Sequence, residues 1–145
     1  MAPVYLDSSI LVSLVMNDPR APQARTILGS RESCTSQLSE IECQAGLSFQ
    51  FSVARTGLPA SEQILNTILD GMQIIQLTPA VLNHARTLVR RHRTGLGLRT
   101  LDALHIASCA EMQAQFGVTR IEYITADRRQ HNAFLAEGFS GTLLP

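Results

Sequence analysis

The hydrophobic positions of this chain fall into short apolar runs that alternate with longer segments of helical spacing. Runs of this length, bounded by turn residues, predict buried strands. They lie at residues 4–6, 33–35, 72–77 and 121–125, and residues 138–144 predict a final edge strand. Strands that alternate with helices predict an α/β fold of three layers, in which helices flank a mostly parallel central sheet of four to five strands.

The segments between these strands predict helices, and glycine, proline or a hydroxyl side chain marks most of their ends. The predicted helices cover residues 8–16, 22–28, 38–55, 61–69, 79–93, 101–112 and 128–135. Ser61 and Thr78 are predicted N-caps, and residues 94–97 predict a flexible break. No repeat, low-complexity tract or linker interrupts this order, so residues 1–145 predict a single domain.

The helix predicted at residues 38–55 carries apolar side chains on two faces rather than on one stripe. The two sets are Ile41, Ala45 and Phe49 on one side and Leu47, Phe51 and Ala54 on the other. One face is enough to join a protein core, so the other is expected to meet a partner. Leu47 and Phe51 are the candidate contacts for that partner.

Composition and charge limit the possible chemistry. The chain has 145 residues, 45% of them hydrophobic, which is enough to build the core of one domain. Twelve basic residues balance twelve acidic ones, so any binding of nucleic acid must come from local patches. All the basic residues are arginine, which excludes lysine bases, Schiff bases and lysine phosphate clamps.

The cysteines and the N-terminal residues bear on the compartment. Cys34, Cys43 and Cys109 are widely spaced among apolar residues, which favours reduced core thiols over disulfides. The first residues lack the features of a signal peptide, and no apolar run approaches the roughly 20 residues of a membrane span. We therefore expect a soluble, cytoplasmic protein.

Four carboxylates lie where strands end or helices begin: Asp7, Glu42, Asp102 and Asp127. Helix capping explains each of them singly, as an N-cap, as part of a capping box with Ser39, or as an acid in a first helical turn. Asp102 fits this explanation least, because its helix is otherwise apolar. A buried carboxylate needs a partner, for which Arg99 is the candidate.

Together the four carboxylates predict a common site. The carboxyl ends of parallel strands meet at one edge of a sheet, so Asp7 and Asp127 are expected to lie close together. Glu42 and Asp102, in the first turns of their helices, can point at the same edge. Four carboxylates in one pocket repel one another unless a cation lies between them. Mg²⁺ or Mn²⁺ prefers oxygen ligands and often bridges carboxylates and substrate phosphates, as in phosphodiester cleavage.

The residues around these carboxylates form motifs that resemble those of a known family. Asp7 lies in Leu-Asp-Ser-Ser, Glu42 ends Thr-Ser-Gln-Leu-Ser-Glu-Ile-Glu, Asp102 lies in Leu-Asp-Ala-Leu-His-Ile-Ala, and Asp127 ends Thr-Ala-Asp. Glu40 competes with Glu42, but the Thr-Ser start of the motif aligns Glu42 better. In this order, over almost the whole chain, the motifs resemble PIN-domain nucleases, most of all the VapC ribonuclease toxins of toxin–antitoxin pairs.

The resemblance implies an endoribonuclease that depends on Mg²⁺ or Mn²⁺ and hydrolyses RNA with metal-activated water. It implies catalytic and metal-holding roles for Asp7, Glu42, Asp102 and Asp127. Ser9 and Thr125 are hydroxyls that can orient a carboxylate or a water, although turn hydrogen bonding explains them equally well. The resemblance also implies an RNA substrate, a cognate antitoxin protein and a homodimer.

Several basic residues near the motifs are candidate RNA contacts. Arg128 and Arg129 adjoin Asp127, and Arg99 lies three residues before Asp102. For His105, a core histidine hydrogen-bonded near the site is favoured over a general base. Four further arginines lie on the helix predicted at residues 79–93: Arg86, Arg90, Arg91 and Arg93. A solvated helix face is the commoner explanation for them, although contact with RNA or with an acidic antitoxin segment stays open.

Three alternative functions stay open. A haloacid-dehalogenase-like phosphatase would need an aspartate two residues after Asp7, where Ser9 stands, and a lysine that the chain lacks. A non-catalytic RNA-binding or regulatory PIN domain is disfavoured because all four carboxylates are present. A PIN nuclease that processes RNA without an antitoxin differs little in sequence from a toxin. The small size of the chain favours the toxin.

Overall fold

A sheet of five parallel strands forms the centre of the computed structural model, which describes residues 3–118 and 120–145. The strands are β1 (Val4–Leu6), β2 (Ser33–Ser36), β3 (Gln73–Ile75), β4 (Glu122–Thr125) and β5 (Ser140–Leu143). Their order across the sheet is β3-β2-β1-β4-β5. Within the described residues, the predicted α/β fold is confirmed, and its sheet is parallel throughout.

Seven α-helices in the described part of the chain cover the two faces of this sheet. They are α1 (Ser8–Met16), α2 (Ala21–Leu28), α3 (Leu38–Gln50), α4 (Leu58–Asp70), α5 (Pro79–Leu96), α6 (Thr100–Phe116) and α7 (Arg128–Ala136). A short 3-10 helix at Arg55–Gly57 precedes α4. Among the helices that the structure describes, none combines the length and the apolar character that crossing a membrane requires.

The side chains of β1 alternate between two hydrophobic cores. Tyr5 packs with residues of α5, α6 and α7, whereas Val4 and Leu6 pack with residues of α1 to α4. All three side chains are buried. A central strand that is covered on both faces needs apolar residues at every position, which is why this run of the sequence is continuous rather than alternating. The result is the predicted arrangement of three layers.

The edge strand β5 lies very close to β4 at Gly141. The register pairs Tyr123 with Gly141, and a Cβ atom at position 141 would lie 2.2 Å from the carbonyl oxygen of Tyr123. Glycine is therefore required at this position if the edge strand is to pair.

Two helix boundaries between β2 and β3 differ from the prediction. α3 ends at Gln50 rather than at residue 55, and Phe51, its C-cap, packs on the α1–α4 core beside Gly57. α4 begins at Leu58 rather than at Ser61, with a proline in its first turn, where the missing amide hydrogen leaves no helical bond unmade. Ser61 is a buried residue of that helix instead of its cap.

The break predicted at residues 94–97 is wrong for most of its length. α5 begins as predicted, with the Thr78 hydroxyl accepting a hydrogen bond from the amide of Val81. It continues to Leu96, and Gly97 then ends it in the left-handed conformation, with φ of 65°. Glycine adopts that conformation without steric strain, so Gly97 rather than Gly95 terminates the helix.

α3 turns the predicted partner face into the core, which corrects the choice of Leu47 and Phe51. Leu47 is 0% exposed, and Phe51 is half-buried against the same core. The exposed apolar stripe is the other face, on which Ile41 is 69% and Phe49 is 78% exposed, with the exposed Ala45 between them. Both faces are apolar in sequence, and contact of α3 with α1 and α4 decides which one is buried.

The three cysteines are free and buried, as predicted. Burial raises the pKa of the Cys34 and Cys43 thiols to about 12, because the thiolate form loses its hydration. At neutral pH these side chains are therefore inert parts of the core.

The strand order creates a crevice beside β1. Within the sheet, β2 and β3 lie on one side of β1, whereas β4 and β5 lie on the other side of it. In open parallel sheets, ligands bind at the carboxyl ends of the strands where the order reverses. The register of β1 and β4 pairs Leu6 with Ile124, so Asp7 and Thr125 follow side by side at this crevice.

Candidate active site

A cleft with a volume of about 580 Å³ opens at this edge of the sheet. The predicted carboxylates all line it: Asp7, Glu42, Asp102 and Asp127. They come from the end of β1, from α3, from the start of α6 and from the end of β4. Three arginines share the same walls: Arg93, Arg99 and Arg129. The fold therefore gathers acids from four separate segments and places cations around them.

Asp7 is held by three hydrogen-bond donors, two from α1 and one from the end of β4. As the cap of α1, its Oδ1 accepts hydrogen bonds from the Ile10 amide at 3.2 Å and from the Ser9 hydroxyl at 2.6 Å. Its Oδ2 accepts from the hydroxyl of Thr125 at 2.5 Å. Helix capping explains the bond from the Ile10 amide, whereas the bond from Thr125 ties Asp7 to the neighbouring strand.

The backbone directs the protons of Ser9 and Thr125 at Asp7. The oxygen of Ser9 accepts a hydrogen bond from the Ala126 amide at 3.0 Å, and that of Thr125 accepts from the Asp127 amide at 3.0 Å. Each hydroxyl then donates its own proton to Asp7. Thr125 therefore makes a turn hydrogen bond, whereas the backbone bond of Ser9 joins α1 to the segment after β4, and both hydroxyls fix the direction of the Asp7 carboxylate.

Burial raises the pKa of Asp7 above its usual value, because the side chain is 2% exposed and the anion loses its hydration. The hydrogen bonds from Ser9, Thr125 and Ile10 oppose this shift. A carboxylate kept out of water in the wall of an open cleft is stabilised by any cation that enters the cleft.

Asp102 is paired with an arginine from another helix. Nε of Arg129 donates to its Oδ2 at 3.0 Å, and the backbone amide of Arg99 donates to the same oxygen at 3.1 Å. The expected partner, Arg99, thus contributes its backbone, and the compensating charge comes from Arg129. Because Asp102 is buried, this pairing offsets the unfavourable transfer of its charge out of water.

Asp127 caps α7 and shares the same arginine. Its Oδ1 accepts hydrogen bonds from the amides of Arg129 and Gln130 at 2.9 and 3.2 Å. Nη2 of Arg129 lies 3.8 Å from its Oδ2. The guanidinium of Arg129 therefore contacts both Asp102 and Asp127.

Glu42 is bound to a buried histidine and does not cap its helix. Its Oε1 lies 2.5 Å from Nε2 of His105, and Nδ1 of His105 lies 2.7 Å from the hydroxyl of Tyr5. The N-cap residue of α3, Gln37, makes no side-chain capping bond, and the hydroxyl of Ser39 is hydrogen-bonded to that of Thr35 instead. The capping-box explanation of Glu42 is therefore wrong.

The sequence model of the PIN domain matches residues 4–134, a range that contains every one of these side chains. The chain belongs to the PIN-domain family. PIN domains are typically nucleases, and the family is generally metal-dependent.

This PIN domain is similar in sequence to a ribonuclease and in fold to solved structures of toxins. It is 28% identical over 141 residues to ribonuclease VapC47 of Mycobacterium tuberculosis, and the aligned region covers 94% of this chain and 93% of the relative. The structure of VapC20 from M. tuberculosis, described as a toxin that cleaves the sarcin-ricin loop, matches with a TM-score of 0.68 and 17% identity over 97% of this chain and 99% of that one. A toxin–antitoxin complex from Klebsiella pneumoniae matches with a TM-score of 0.59 and 22% identity over 86% of each chain.

The donor chemistry of this PIN domain suits a hard divalent cation. The cleft offers carboxylate oxygens backed by hydroxyls, which are the groups that Mg²⁺ and Mn²⁺ prefer. Within residues 3–118 and 120–145, however, no group of three or more His, Cys, Asp and Glu side chains is arranged to hold a metal ion. Arg129 supplies the positive charge at Asp102 and Asp127, so a metal ion would have to share these carboxylates with it or displace it.

The arginines and Gln130 show what the sequence indicated and what it missed. Arg99 and Arg129 line the cleft, whereas Arg128 is exposed outside its walls. Arg93, for which a solvated helix face was the commoner explanation, also lines the cleft, and its place near the end of the helix before Asp102 was the available signal. Gln130 forms part of the wall, and its buried Nε2 has no hydrogen-bond partner in the described structure. No pattern in the sequence marks it.

Proposed function

We propose that this PIN domain is a divalent-metal-dependent endoribonuclease that acts as the toxin of a toxin–antitoxin pair. The convergence of four carboxylates in one cleft, at the reversal point of the sheet, carries the proposal. Carboxylates crowded in this way repel one another, and a divalent cation relieves the repulsion while still accepting phosphate oxygens. The family match and a relative named as a ribonuclease support nuclease chemistry.

Asp7, Glu42, Asp102 and Asp127 are the residues that would hold the metal, directly or through water. When bound, Mg²⁺ or Mn²⁺ makes water a better nucleophile and neutralises charge on the attacked phosphate. Ser9 and Thr125 keep Asp7 in one direction through the hydrogen bonds they donate to it.

The arginines of the cleft are assigned to the RNA backbone. Arg93, Arg99 and Arg129 place positive charge beside the carboxylates, and guanidinium groups bind phosphate oxygens in a bidentate manner. Arg128 is exposed one residue before Arg129 and would contact RNA outside the cleft. Contacts of this kind position the RNA without reading its sequence.

The exposed apolar stripe of α3 is assigned to the antitoxin. Ile41, Ala45 and Phe49 form a row at helical spacing that no described part of the chain covers. An apolar antitoxin segment is the occupant we assign to it, since a similar solved structure is a toxin–antitoxin complex. The likeness to VapC toxins also supports a homodimer of this chain.

Cleavage of structured RNA by the purified protein tests the nuclease activity. Cleavage is expected with Mg²⁺ and should stop with a chelator. Asp102→Asn should slow it by more than the roughly 10–100-fold that is typical of residues behind metal ligands. Asp70→Asn, which removes an exposed carboxylate at the end of α4, is the matched control and should cleave at the wild-type rate.

Different outcomes point to different functions. Cleavage that survives both the chelator and Asp102→Asn would come from a contaminant or from another chemistry. Binding of RNA without any cleavage would favour the non-catalytic alternative. Growth arrest on expression, relieved by the product of the adjacent gene, would distinguish a toxin from an RNA-processing nuclease.

A further inference from the structure

A row of three hydrogen-bonded side chains leads from the hydrophobic core to the cleft. The hydroxyl of Tyr5 in β1 contacts Nδ1 of His105 in α6, and Nε2 of His105 contacts Oε1 of Glu42 in α3. Tyr5 and His105 are 0% and 2% exposed. The row therefore joins the cleft to elements whose positions are set by core packing.

Glu42 differs from the other carboxylates in what holds it. Asp7, Asp102 and Asp127 each accept at least one hydrogen bond from a backbone amide at the start of a helix. In the described structure, Glu42 accepts no such bond, and His105 is its hydrogen-bond partner. The direction of Glu42 thus depends on a side chain, and a glutamate that is free to rotate loses rotamer entropy when it is fixed.

The chemistry of the three groups determines which atom donates in each bond. An ionised carboxylate only accepts, so Nε2 of His105 donates to Glu42. The phenol of Tyr5 carries its proton at neutral pH and can donate it to Nδ1. These two bonds fit a neutral His105 ring that carries its hydrogen on Nε2. An imidazolium would leave the buried phenol proton without this acceptor.

We propose that Tyr5 and His105 are positioning residues that fix the Glu42 carboxylate for metal binding. The inference rests on the proposed function and extends the metal site to a residue in the core of the protein. Tyr5 selects the tautomer of His105, and His105 then anchors one oxygen of Glu42. The other oxygen, Oε2, has no hydrogen-bond partner in the described residues and stays available to a ligand.

A second tyrosine–histidine pair on the neighbouring strand provides a matched control. Tyr123 pairs with Tyr5 in the register of the sheet and is also buried, and its hydroxyl lies 2.8 Å from Nδ1 of His131. His131 does not line the cleft. Tyr123→Phe therefore removes the same atom from the same kind of contact without disturbing the row that ends at Glu42.

Calorimetric titration with Mn²⁺ measures the effect on the site. Tyr5→Phe should weaken Mn²⁺ binding by about tenfold, the lower end of the loss typical when a direct partner of a metal ligand is removed, because Tyr5 acts on Glu42 through His105. Tyr123→Phe should change it by less than about twofold on the same physical ground. Equal weakening by both substitutions would overturn the inference, and so would no weakening by Tyr5→Phe. If the wild-type protein binds no Mn²⁺, the proposed metal site itself fails.

Substitution of His105 separates positioning from packing. The amide of His105→Gln can donate to Glu42 and accept from Tyr5, whereas the side chain of His105→Leu fills space without hydrogen bonds. The glutamine variant should therefore keep more Mn²⁺ affinity than the leucine variant. Equal losses in the two variants would contradict a positioning role.

Nitrogen NMR of the metal-free protein at neutral pH observes the tautomer without reference to metal or activity. In the wild type, His105 should show a protonated Nε2 and an unprotonated Nδ1, and Tyr5→Phe should produce a mixture of tautomers. Two protonated ring nitrogens in the wild type would overturn the role of Tyr5. An unchanged tautomer in Tyr5→Phe would overturn it as well, even if Mn²⁺ binds as proposed.

Discussion

Three of the four carboxylates in the cleft accept hydrogen bonds from backbone amides at helix N-termini. They are Asp7, Asp102 and Asp127, at the starts of α1, α6 and α7. A helix N-terminus favours an anion, so each cap holds its carboxylate in a fixed place before any ligand arrives. The hydrogen bond that stabilises each helix start therefore also fixes the carboxylate for the proposed metal binding.

The buried anion at Asp7 predicts a pH-dependent difference in stability. Burial raises its pKa in the folded chain, so the wild type loses stability as the pH rises from about 4, near the pKa in the unfolded chain, through the folded value. Asp7→Asn, which retains a good N-cap, does not titrate. In the presence of a chelator, the variant should melt above the wild type at neutral pH, and this advantage should shrink as the pH falls.

Thermal melts of the two proteins from pH 4 to 8 check this prediction. Asp70→Asn, at an exposed position, should show no comparable trend. A gap between Asp7→Asn and the wild type that stays constant across this range would show that desolvation of Asp7 does not govern the difference.

At the scale of elements, strand positions and strand-end chemistry could be predicted, whereas helix ends and faces could not. Continuous apolar runs located β1 and β4, and the parallel order then brought Asp7 and Asp127 together. The end of α3 depends on Phe51 packing beside Gly57, a contact that no local pattern encodes. Likewise, the arginine that pairs with Asp102 lies 27 residues further along the chain, and only the folded structure brings it there.

The two apolar faces of α3 predict opposite effects of an added charge. Phe49→Glu, at an exposed position, should leave the melting temperature nearly unchanged and weaken binding of the antitoxin by about tenfold or more, as expected for an aromatic contact. Leu47→Glu should unfold the protein, because it would bury an unpaired charge. Gln50→Glu adds the same charge beside the stripe and is the control for binding.

Co-purification of each variant with the product of the adjacent gene measures that binding, and circular dichroism monitors the fold. If Phe49→Glu binds as well as Gln50→Glu, the partner contacts another surface.

At the scale of the whole molecule, the cleft joins the layers on the two faces of the sheet. Glu42 belongs to α3 on one face, whereas Asp102 belongs to α6 on the other, and Asp7 lies at the end of the central strand between them. A ligand that binds these residues together would hold both layers against the sheet. Its binding should therefore stabilise the fold as a whole and not one helix alone.

Mn²⁺ should consequently raise the melting temperature. At a concentration about 100 times its dissociation constant, a ligand adds roughly 2.7 kcal/mol to the free energy of unfolding. For a chain of this size, that corresponds to a rise of about 5–10 °C in the melting temperature. Asp7→Asn should remove most of the rise, and Asp70→Asn should keep it. Equal rises in the wild type and Asp7→Asn, measured by differential scanning fluorimetry, would count against a shared cation site.

Arg129 gives the acidic cleft a counter-ion that is part of the chain itself. Its contacts with Asp102 and Asp127 offset repulsion between those carboxylates when no other cation is present. The chain can therefore fold before a metal ion binds, and loss of a bound ion need not unfold it. Under the proposed metal dependence, a cell short of divalent ions would keep this protein folded but inactive until the ions return.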